Sequence, residues 1–174
     1  LVQKIHSKVI TSINFNNFGS SYITTGADYV VRVYDAAKNI ETNVFSGFSS
    51  AVSEACFDHT EQLLFSGSLD KTAKLWSLRN NKLLNTFTAH ESFIFSMCGN
   101  NSTHQIFTCG DDRCVKVWRD NGTFQQNLPH PNTVWDACVN HLNGDLLTAC
   151  ADTLMRVFST KKELSNCDSI PLSP

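Results

Sequence analysis

The chain has 174 residues, of which 41% are hydrophobic and 17% charged, and its formal net charge is −2. This balance is typical of a globular protein, excludes a disordered chain, and offers no basic footprint for nucleic acid. No apolar run approaches the roughly 18 residues that a membrane-spanning helix needs, so we expect no membrane insertion.

The cysteines indicate a reducing compartment. There are seven of them, an odd number, and no two are arranged as Cys-x-x-Cys. This usage argues against a disulfide framework and against a cysteine-rich zinc site. Several lie inside apolar stretches, where cysteine behaves as a small buried hydrophobic residue. We therefore expect a cytoplasmic protein.

Short strands are predicted along the whole chain. Four predicted strands are rich in β-branched and aromatic residues, and each is followed by a turn-like stretch: Val9–Phe15, Ala51–Phe57, Phe93–Met97 and Val134–Val139. A second short strand then follows: Tyr22–Thr25, Leu63–Ser66, Gln105–Cys109 and Leu146–Ala149. An Asp-containing turn and a third strand ending on an aromatic residue complete each pattern. No helical periodicity of useful length interrupts this order, which predicts an all-β fold.

An internal repeat organises the sequence. Aspartates at Asp28, Asp70, Asp112 and Asp152 are separated by 42, 42 and 40 residues. An aromatic residue lies six positions after each aspartate, and a hydroxyl residue lies four positions before it. Histidine lies 22 positions before three of the four aspartates, with Phe48 in the second repeat. A period of about 40–45 residues is that of one four-stranded propeller blade.

The stretches "SGSLDKTAKLWS" (Ser66–Ser77) and "CGDDRCVKVWR" (Cys109–Arg119) resemble WD40 repeats, and the similarity covers residues 1–158. The resemblance implies a WD40 β-propeller of four blades, each with four antiparallel strands running from the centre outwards. Residues 159–174 are predicted to form a polar C-terminal tail.

The WD40 resemblance also implies a structural tetrad in each blade, in which His, Ser or Thr, Asp and Trp are joined by hydrogen bonds. The third repeat has a complete set, the first and fourth lack the indole, and the second lacks the histidine. The residues are His6, Thr24, Asp28 and Tyr34; Ser66, Asp70 and Trp76; His90, Thr108, Asp112 and Trp118; and His130, Thr148, Asp152 and Phe158.

The phase of the repeats predicts how the last blade is completed. Residues 1–5 align with the outer strands predicted at Thr42–Ser46, Leu83–Thr88 and Thr123–Leu128, whereas the last repeat ends near Phe158. We expect residues 1–5 to pair with that last strand and cover an exposed edge. The four blades then either close on themselves or belong to a larger ring, which a homo-oligomer would complete.

No residue pattern indicates an enzyme, a cofactor or a metal site. His90, Thr108 and Asp112 have the composition of a hydrolase triad, but the same residue types recur once per repeat, as a structural network does. No pair among the six histidines has metal-ligand spacing, and no glycine-rich phosphate loop is present.

The resemblance places a partner-binding surface on the face where the innermost strands begin. In WD40 propellers, side chains three and five residues after the repeat histidine, and the residue before the repeat aspartate, tend to reach this face. Aromatic residues are enriched among binding anchors, and an exposed aromatic cluster needs a reason. The predicted binding residues are Phe93, Phe95, Trp135, Asp111, Thr133 and Leu69.

Two finer resemblances imply a function. Residues 4–95, with "INFNNFGSSYITTGADYVVRVYD", are similar to the propeller of an autophagy scaffold. Residues 90–160, with "NGDLLTACADTLMRVFS", are similar to the ubiquitin-binding propeller of the phospholipase-activating-protein family. Both families are non-enzymatic adaptors, which implies a protein-interaction scaffold in ubiquitin or autophagy pathways, with ubiquitin or a ubiquitin-like modifier as a possible partner.

Two alternatives stay open. The stretch Trp76–Arg79 resembles the tryptophan–x–x–arginine pattern of substrate-receptor adaptors of cullin ubiquitin ligases, although the Asp that normally follows the Trp is absent. The other alternative is a purely structural propeller module with no ligand of its own.

Overall fold

A computed structural model describes residues 3–159 and 167–171 of the chain. Blade one consists of β1 (Ile10–Phe15), β2 (Ser21–Gly26), β3 (Val31–Asp35) and β4 (Ile40–Phe45). Blade two consists of β5 (Val52–Phe57), β6 (Leu63–Ser68), β7 (Thr72–Ser77) and β8 (Lys82–Thr88). Blade three consists of β9 (Ile94–Asn100), β10 (Gln105–Gly110), β11 (Cys114–Arg119) and β12 (Phe124–Pro129). Blade four consists of β13 (Val134–Val139), β14 (Leu146–Cys150), β15 (Leu154–Phe158) and β16 (Cys167–Pro171).

Each blade is a four-stranded antiparallel sheet in which strands that are consecutive in the chain are also neighbours. The predicted all-β propeller of four four-stranded blades is therefore confirmed. The described residues include no helix able to cross a membrane. We call the face where the inner strands β1, β5, β9 and β13 begin the upper face, and the face where they end the lower face.

The aspartate turn has the same backbone geometry in every blade. The residue after each repeat aspartate adopts a positive φ: 71° at Tyr29, 73° at Lys71, 62° at Arg113 and 71° at Thr153. Non-glycine residues adopt this conformation uncommonly. Its recurrence at one position shows that the second and third strands of every blade are joined by the same tight turn on the upper face.

The hydrophobic core is divided into clusters that lie between adjacent blades. One cluster joins blades one and two and includes Ile23, Phe45 and Trp76. A second joins blades two and three, and a third joins blades three and four around Phe107 and Leu146. Each sheet thus buries its apolar side chains against the next sheet, which is how repeat proteins obtain stability.

The inner strands line a cavity of about 300 Å³ and are joined by polar contacts between blades. Asn14 of blade one donates a hydrogen bond of 3.0 Å to Glu54 of blade two, and Glu54 accepts one of 3.0 Å from the backbone N–H of Met97 in blade three. Ser96 continues the series with a 2.8 Å hydrogen bond to Asp136 of blade four. The carboxylates of Glu54 and Asp136 on the inner strands thus connect all four blades in order.

The predicted closure by the N-terminal segment is wrong. Cys167–Pro171 supplies the outer strand of blade four, and it pairs antiparallel with Leu154–Phe158. Residues 3–5 form no strand, and residues 1 and 2 lie outside the described residues. A segment that follows Phe158 closely can form a hairpin-like pair with it, whereas residues 1–5 would have to reach it from blade one. The blade therefore extends into the segment predicted as a tail.

Apolar packing joins blade one to two, two to three and three to four, but an equivalent contact between blades four and one is absent from the described residues. Among the described residues, no buried apolar cluster joins blade four to blade one. Asn14 of β1 faces blade two, so the alternating side chains Ile13 and Phe15 point the other way, and both are exposed. Blade one therefore presents an apolar side that no other blade covers within the described residues.

Ending the chain after Ser159 should remove β16 and leave β15 as an unpaired edge strand. We expect this truncated protein to melt at a lower temperature and to aggregate, because an open strand edge pairs with other chains. Thermal melting and light scattering measure both effects. A chain ending after Pro171 keeps the strand and is the matched control; equal behaviour of the two proteins would contradict the assignment.

Candidate functional site

A β-bulge at the start of each inner strand positions the side chains of the upper face. The pairing between the first two strands shifts register at the second residue of each blade: Thr11, Ser53, Phe95 and Trp135. A bulge inserts one unpaired residue and redirects its side chain. These are the positions five residues after the repeat histidine, or after Phe48 in blade two.

The bulge residue differs between the two halves of the chain. In blades one and two it carries a hydroxyl that turns back to the backbone: Thr11 donates to the carbonyl of Val52, and Ser53 donates to the carbonyl of Gly67 at 3.0 Å. In blades three and four it is aromatic. The same backbone device therefore presents bulky apolar groups only on the second half of the upper face.

The aromatic patch consists of Phe93, Phe95 and Trp135. The ring centroids of Phe93 and Phe95 are 6.3 Å apart, and those of Phe95 and Trp135 are 4.8 Å apart in a stacked arrangement. Phe93 is 46% exposed and Trp135 57% exposed, while Phe95 is partly buried between them. The prediction that these rings from adjacent blades lie together is confirmed; their role in binding stays a prediction.

Asp111 forms the polar edge of the aromatic patch. Its carboxylate accepts a 2.8 Å hydrogen bond from Ser92 and a 3.1 Å hydrogen bond from Thr133, so it spans the seam between blades three and four. Its backbone N–H donates to the carbonyl of Phe93 at 3.0 Å. A Cβ at Gly110 would lie only 2.0 Å from that carbonyl oxygen, so the close approach that seats Phe93 requires glycine.

Leu69 holds the position in blade two that Asp111 holds in blade three. It is partly buried, and its backbone N–H donates to the carbonyl of Ala51 at 3.0 Å. A contribution of Leu69 to partner binding stays a prediction.

The complete tetrad of blade three forms as the resemblance implied. His90 Nδ1 lies 2.8 Å from an Asp112 carboxylate oxygen, and His90 Nε2 lies 2.7 Å from Thr108 Oγ1. The indole of Trp118 donates to the same hydroxyl at 3.0 Å. Thr108 is buried and bonded on both sides, so this trio of hydroxyl, imidazole and carboxylate connects strands and leaves no accessible nucleophile.

Blades one and two retain parts of the tetrad. In blade one, His6 bonds Asp28 at 2.8 Å and Thr24 at 2.9 Å, while the Tyr34 hydroxyl donates to Glu41 instead. In blade two, the buried indole of Trp76 donates to Ser66 at 2.8 Å, and Phe48 packs against that indole. Asp70, which has no histidine to bond, accepts hydrogen bonds from the N–H and hydroxyl of Thr72 and from the N–H of Ser49.

The fold places the tryptophan and the arginine of the cullin-adaptor pattern, Trp76 and Arg79, in different environments. Trp76 is committed to the tetrad and buried, and Arg79 is exposed in the turn that follows β7.

Blade four departs further from the implied tetrad, because its aspartate is detached from its histidine. His130 bonds Thr148 at 2.9 Å but directs Nδ1 to the backbone carbonyl of Leu128 at 3.0 Å. Asp152 pairs with the guanidinium of Arg156, at 3.1 and 2.5 Å. Phe158 packs its ring against His130 with centroids 5.7 Å apart. The implied His–Asp contact is therefore wrong in this blade: the arginine two strand positions before Phe158 captures the carboxylate.

The tetrad residues of blades three and four have pKa values that are shifted by different causes. Burial alone raises the pKa of the Asp112 carboxyl, but the hydrogen bond and charge of His90 oppose it, and the pKa lies below the usual aspartate value. The Arg156 guanidinium holds the pKa of Asp152 well below its usual range. Burial lowers the pKa of His130, which favours the neutral ring. All these groups connect strands, which is a structural role.

A cluster on the lower face was not predicted from the sequence. His59, His104 and Asp120 lie in three different turns, yet their potential ligand atoms all lie within 4.8 Å of one another. The expectation of no metal site depended on spacing along the chain, and these residues are separated by 45 and 16 positions. Local spacing carries no signal for a site assembled from two blades.

Replacing Thr108 with Val should destabilise the protein more than replacing Thr148 with Val. Thr108 bonds both His90 and Trp118, whereas His130 is the one side chain that Thr148 bonds within the described residues. The first change therefore leaves one more buried polar group unsatisfied. Each unsatisfied group costs about 1–3 kcal/mol. Denaturant unfolding measures both losses, and equal losses would contradict the ranking.

Comparison with known proteins agrees with the geometry of the blades. Residues 1–35, 39–77 and 81–119 match the family described as "WD domain, G-beta repeat". "Structure of U3-55K" aligns with a TM-score of 0.84 at 21% identity, over 97% of this chain and 53% of that one. At that identity the likeness shows the fold alone.

Curated relatives match over less than half of the chain. WD repeat-containing protein 89 homolog of Dictyostelium discoideum is 28% identical over 45% of this chain and 25% of its own length. Mitochondrial division protein 1 of Schizosaccharomyces pombe is 33% identical over 45% of this chain and 12% of its own length. The chain thus spans about half of the solved structure and a quarter or less of these two relatives. These relatives do not support the resemblance to the autophagy scaffold or to the phospholipase-activating-protein family. With three matched repeats over more than half of its length, the chain belongs to the WD domain, G-beta repeat family.

Proposed function

We propose that this protein is a non-enzymatic interaction scaffold that binds a protein partner through the aromatic patch of Phe93, Phe95 and Trp135. The observation that carries the proposal is the stacking of two bulge residues, Phe95 and Trp135, across the seam between blades three and four. The WD40 fold is consistent with a protein-interaction scaffold, and the aromatic patch supplies this propeller with a candidate binding surface.

The patch has the features of a binding centre. Its rings are rigid and partly exposed, and they belong to two sheets that are packed together, so little conformational entropy is lost on binding. Asp111 lies beside them with its carboxylate oriented by Ser92 and Thr133. An apolar centre with an oriented acidic edge suits a partner that presents an apolar patch next to a basic or N–H donor group.

We propose ubiquitin or a ubiquitin-like modifier as the partner class, in a ubiquitin or autophagy pathway. The support is the resemblance of residues 90–160, which include the entire aromatic patch, to a ubiquitin-binding propeller. A cytoplasmic location suits this role. It also suits the cysteines, because six of the seven are free thiols: Cys56, Cys98, Cys109, Cys114, Cys138 and Cys150.

Trp135→Ala should weaken partner binding by about 2 kcal/mol or more, as loss of a central aromatic anchor does. The melting temperature should change little, because the ring is 57% exposed. Titration of ubiquitin and of a ubiquitin-like modifier against wild type and variant, followed by calorimetry, measures the effect.

Phe18→Ala is the matched control, because Phe18 is an aromatic residue 83% exposed in the β1–β2 turn of the lower face. It should bind like the wild type. Wild-type protein that binds neither modifier would overturn the partner class. A Trp135 variant that binds as well as wild type would overturn the patch, and one that unfolds would show that the ring is needed for stability.

We further propose that a second copy of the chain covers the uncovered side of blade one. Ile13 and Phe15 are exposed there although the corresponding sides of the other sheets are packed against a preceding blade. Exposed apolar surface of this kind marks an interface. The open side of blade four in the second copy is its geometric complement, as in a ring with closed symmetry.

The molar mass in solution tests this arrangement and should be twice that of one chain. Ile13→Lys should give the monomer, and Ile40→Lys, at an exposed position on outer strand β4, should leave the dimer intact. A wild-type chain that is monomeric at every concentration would contradict the proposal.

A further inference from the structure

The cluster of His59, His104 and Asp120 on the lower face lies at the seam between blades two and three. His59 is in the β5–β6 turn of blade two, His104 is in the β9–β10 turn of blade three, and Asp120 follows β11. These turns are all at the end of the blades opposite the aromatic patch. The tetrads and the aromatic patch make no use of these three residues.

The contacts within the cluster converge on one carboxylate oxygen. Asp120 Oδ2 lies 2.8 Å from His59 Nδ1 and 3.3 Å from His104 Nδ1. The two imidazole rings meet edge to face with centroids 3.7 Å apart. Two nitrogens and one oxygen from three turns therefore lie within 4.8 Å of one another. In a tetrahedral zinc site with metal–ligand bonds of roughly 2.0–2.1 Å, ligand atoms lie about 3.3 Å apart, which is close to the spacing of each nitrogen from the carboxylate oxygen here.

Hydrogen bonding explains this convergence only in part. His104 Nδ1 forms a hydrogen bond with Asp120. His59 Nδ1 is buried and, within the described residues, has no hydrogen-bond partner, even though the Asp120 oxygen is 2.8 Å away. A ring nitrogen at that distance but out of line with the oxygen is poorly placed for a hydrogen bond. Two atoms that bind the same metal ion direct their lone pairs at the ion and not at each other.

The turns that carry the cluster are held firmly by their own hydrogen bonds. Asp58, beside His59, has a buried carboxylate that accepts from the N–H of Leu63 at 2.7 Å and the N–H of Thr60 at 3.0 Å. In blade three, the N–H of Asp120 donates to the carbonyl of His104 at 3.1 Å, which joins the two turns. Hydrogen bonds that involve no ion thus hold the backbone that carries the three side chains.

The charge around the cluster favours a cation. Among the described residues, the charged groups in contact with the two rings are both carboxylates: Asp120, and Asp58 at 3.8 Å from His59 Nδ1. His104 is about half exposed, with 52% of its side chain accessible, so an ion can enter from solvent and keep a water ligand.

We propose that His59, His104 and Asp120 bind a zinc ion, with water as the fourth ligand, and that the ion fastens blade two to blade three on the lower face. Two imidazoles and one carboxylate with an open position are a ligand set that Zn²⁺ accepts, whereas Mg²⁺ and Ca²⁺ prefer oxygen ligands throughout. This inference is independent of the partner proposed for the aromatic patch.

The site is tested by titrating Zn²⁺ into chelator-treated protein in a calorimeter and by measuring thermal melting with and without the ion. Wild type should bind one ion per chain and melt at a higher temperature with Zn²⁺ than with Mg²⁺. His104→Gln and Asp120→Asn should each weaken Zn²⁺ binding by roughly tenfold or more, since even outer-shell changes cost about that factor. His141→Gln, at an exposed histidine outside the cluster, is the matched control and should bind as the wild type does.

Co²⁺ in place of Zn²⁺ distinguishes this site from the free cysteines. Histidine and carboxylate ligands give a visible spectrum without the thiolate-to-metal charge-transfer band, and that band should be absent. Its presence, or an absence of Zn²⁺ binding, would overturn the proposal. Equal binding by wild type, His104→Gln and Asp120→Asn would also overturn it. Circular dichroism of the two variants without metal should match wild type, so that weaker binding reports the lost ligand.

Discussion

Burial of apolar side chains between successive sheets is the constraint on which this structure depends. A single four-stranded blade has two faces and cannot cover either alone, so each sheet is stabilised only by the next one. The cluster around Ile23 and Trp76 joins blades one and two, and the cluster around Phe107 and Leu146 joins blades three and four. By the same rule, the uncovered side of blade one leaves the apolar side chains of Ile13 and Phe15 exposed to solvent.

The stacking of sheets brings the same position of each blade side by side on the upper face, and a β-bulge turns that position outwards. The backbone is thus repetitive, while the side chain at the bulge is free to vary. Thr11 and Ser53 are directed back to backbone carbonyls, and Phe95 and Trp135 stack across a seam. The upper face therefore differs between blades mainly in the residue placed on a constant bulge, and we propose that binding specificity resides there, as functional sites are often built onto repeated scaffolds.

The polar networks differ between blades because each one only has to satisfy its own buried groups. In blade three, Thr108 accepts from Trp118 and bonds His90, and the aspartate completes the chain of bonds. In blade four, Arg156 takes the aspartate and His130 turns to a backbone carbonyl. Both blades keep the upper-face turn. The residue before the aspartate donates its N–H to the inner strand in each, Asp111 to Phe93 and Ala151 to Thr133, and the positive φ recurs regardless of the tetrad.

The sequence by itself determined the fold class, the number of blades and the rim position of Phe93, Phe95 and Trp135, because a repeat in register fixes equivalent places in equivalent sheets. It did not determine which segment completes blade four, since the spacing of Cys167–Pro171 carries no repeat signal and strand pairing is decided by proximity in space. Nor did it determine the partner of Asp152 or the cluster of His59, His104 and Asp120. Those contacts join residues from different strands and blades, and only the packing of the sheets brings their side chains within bonding distance.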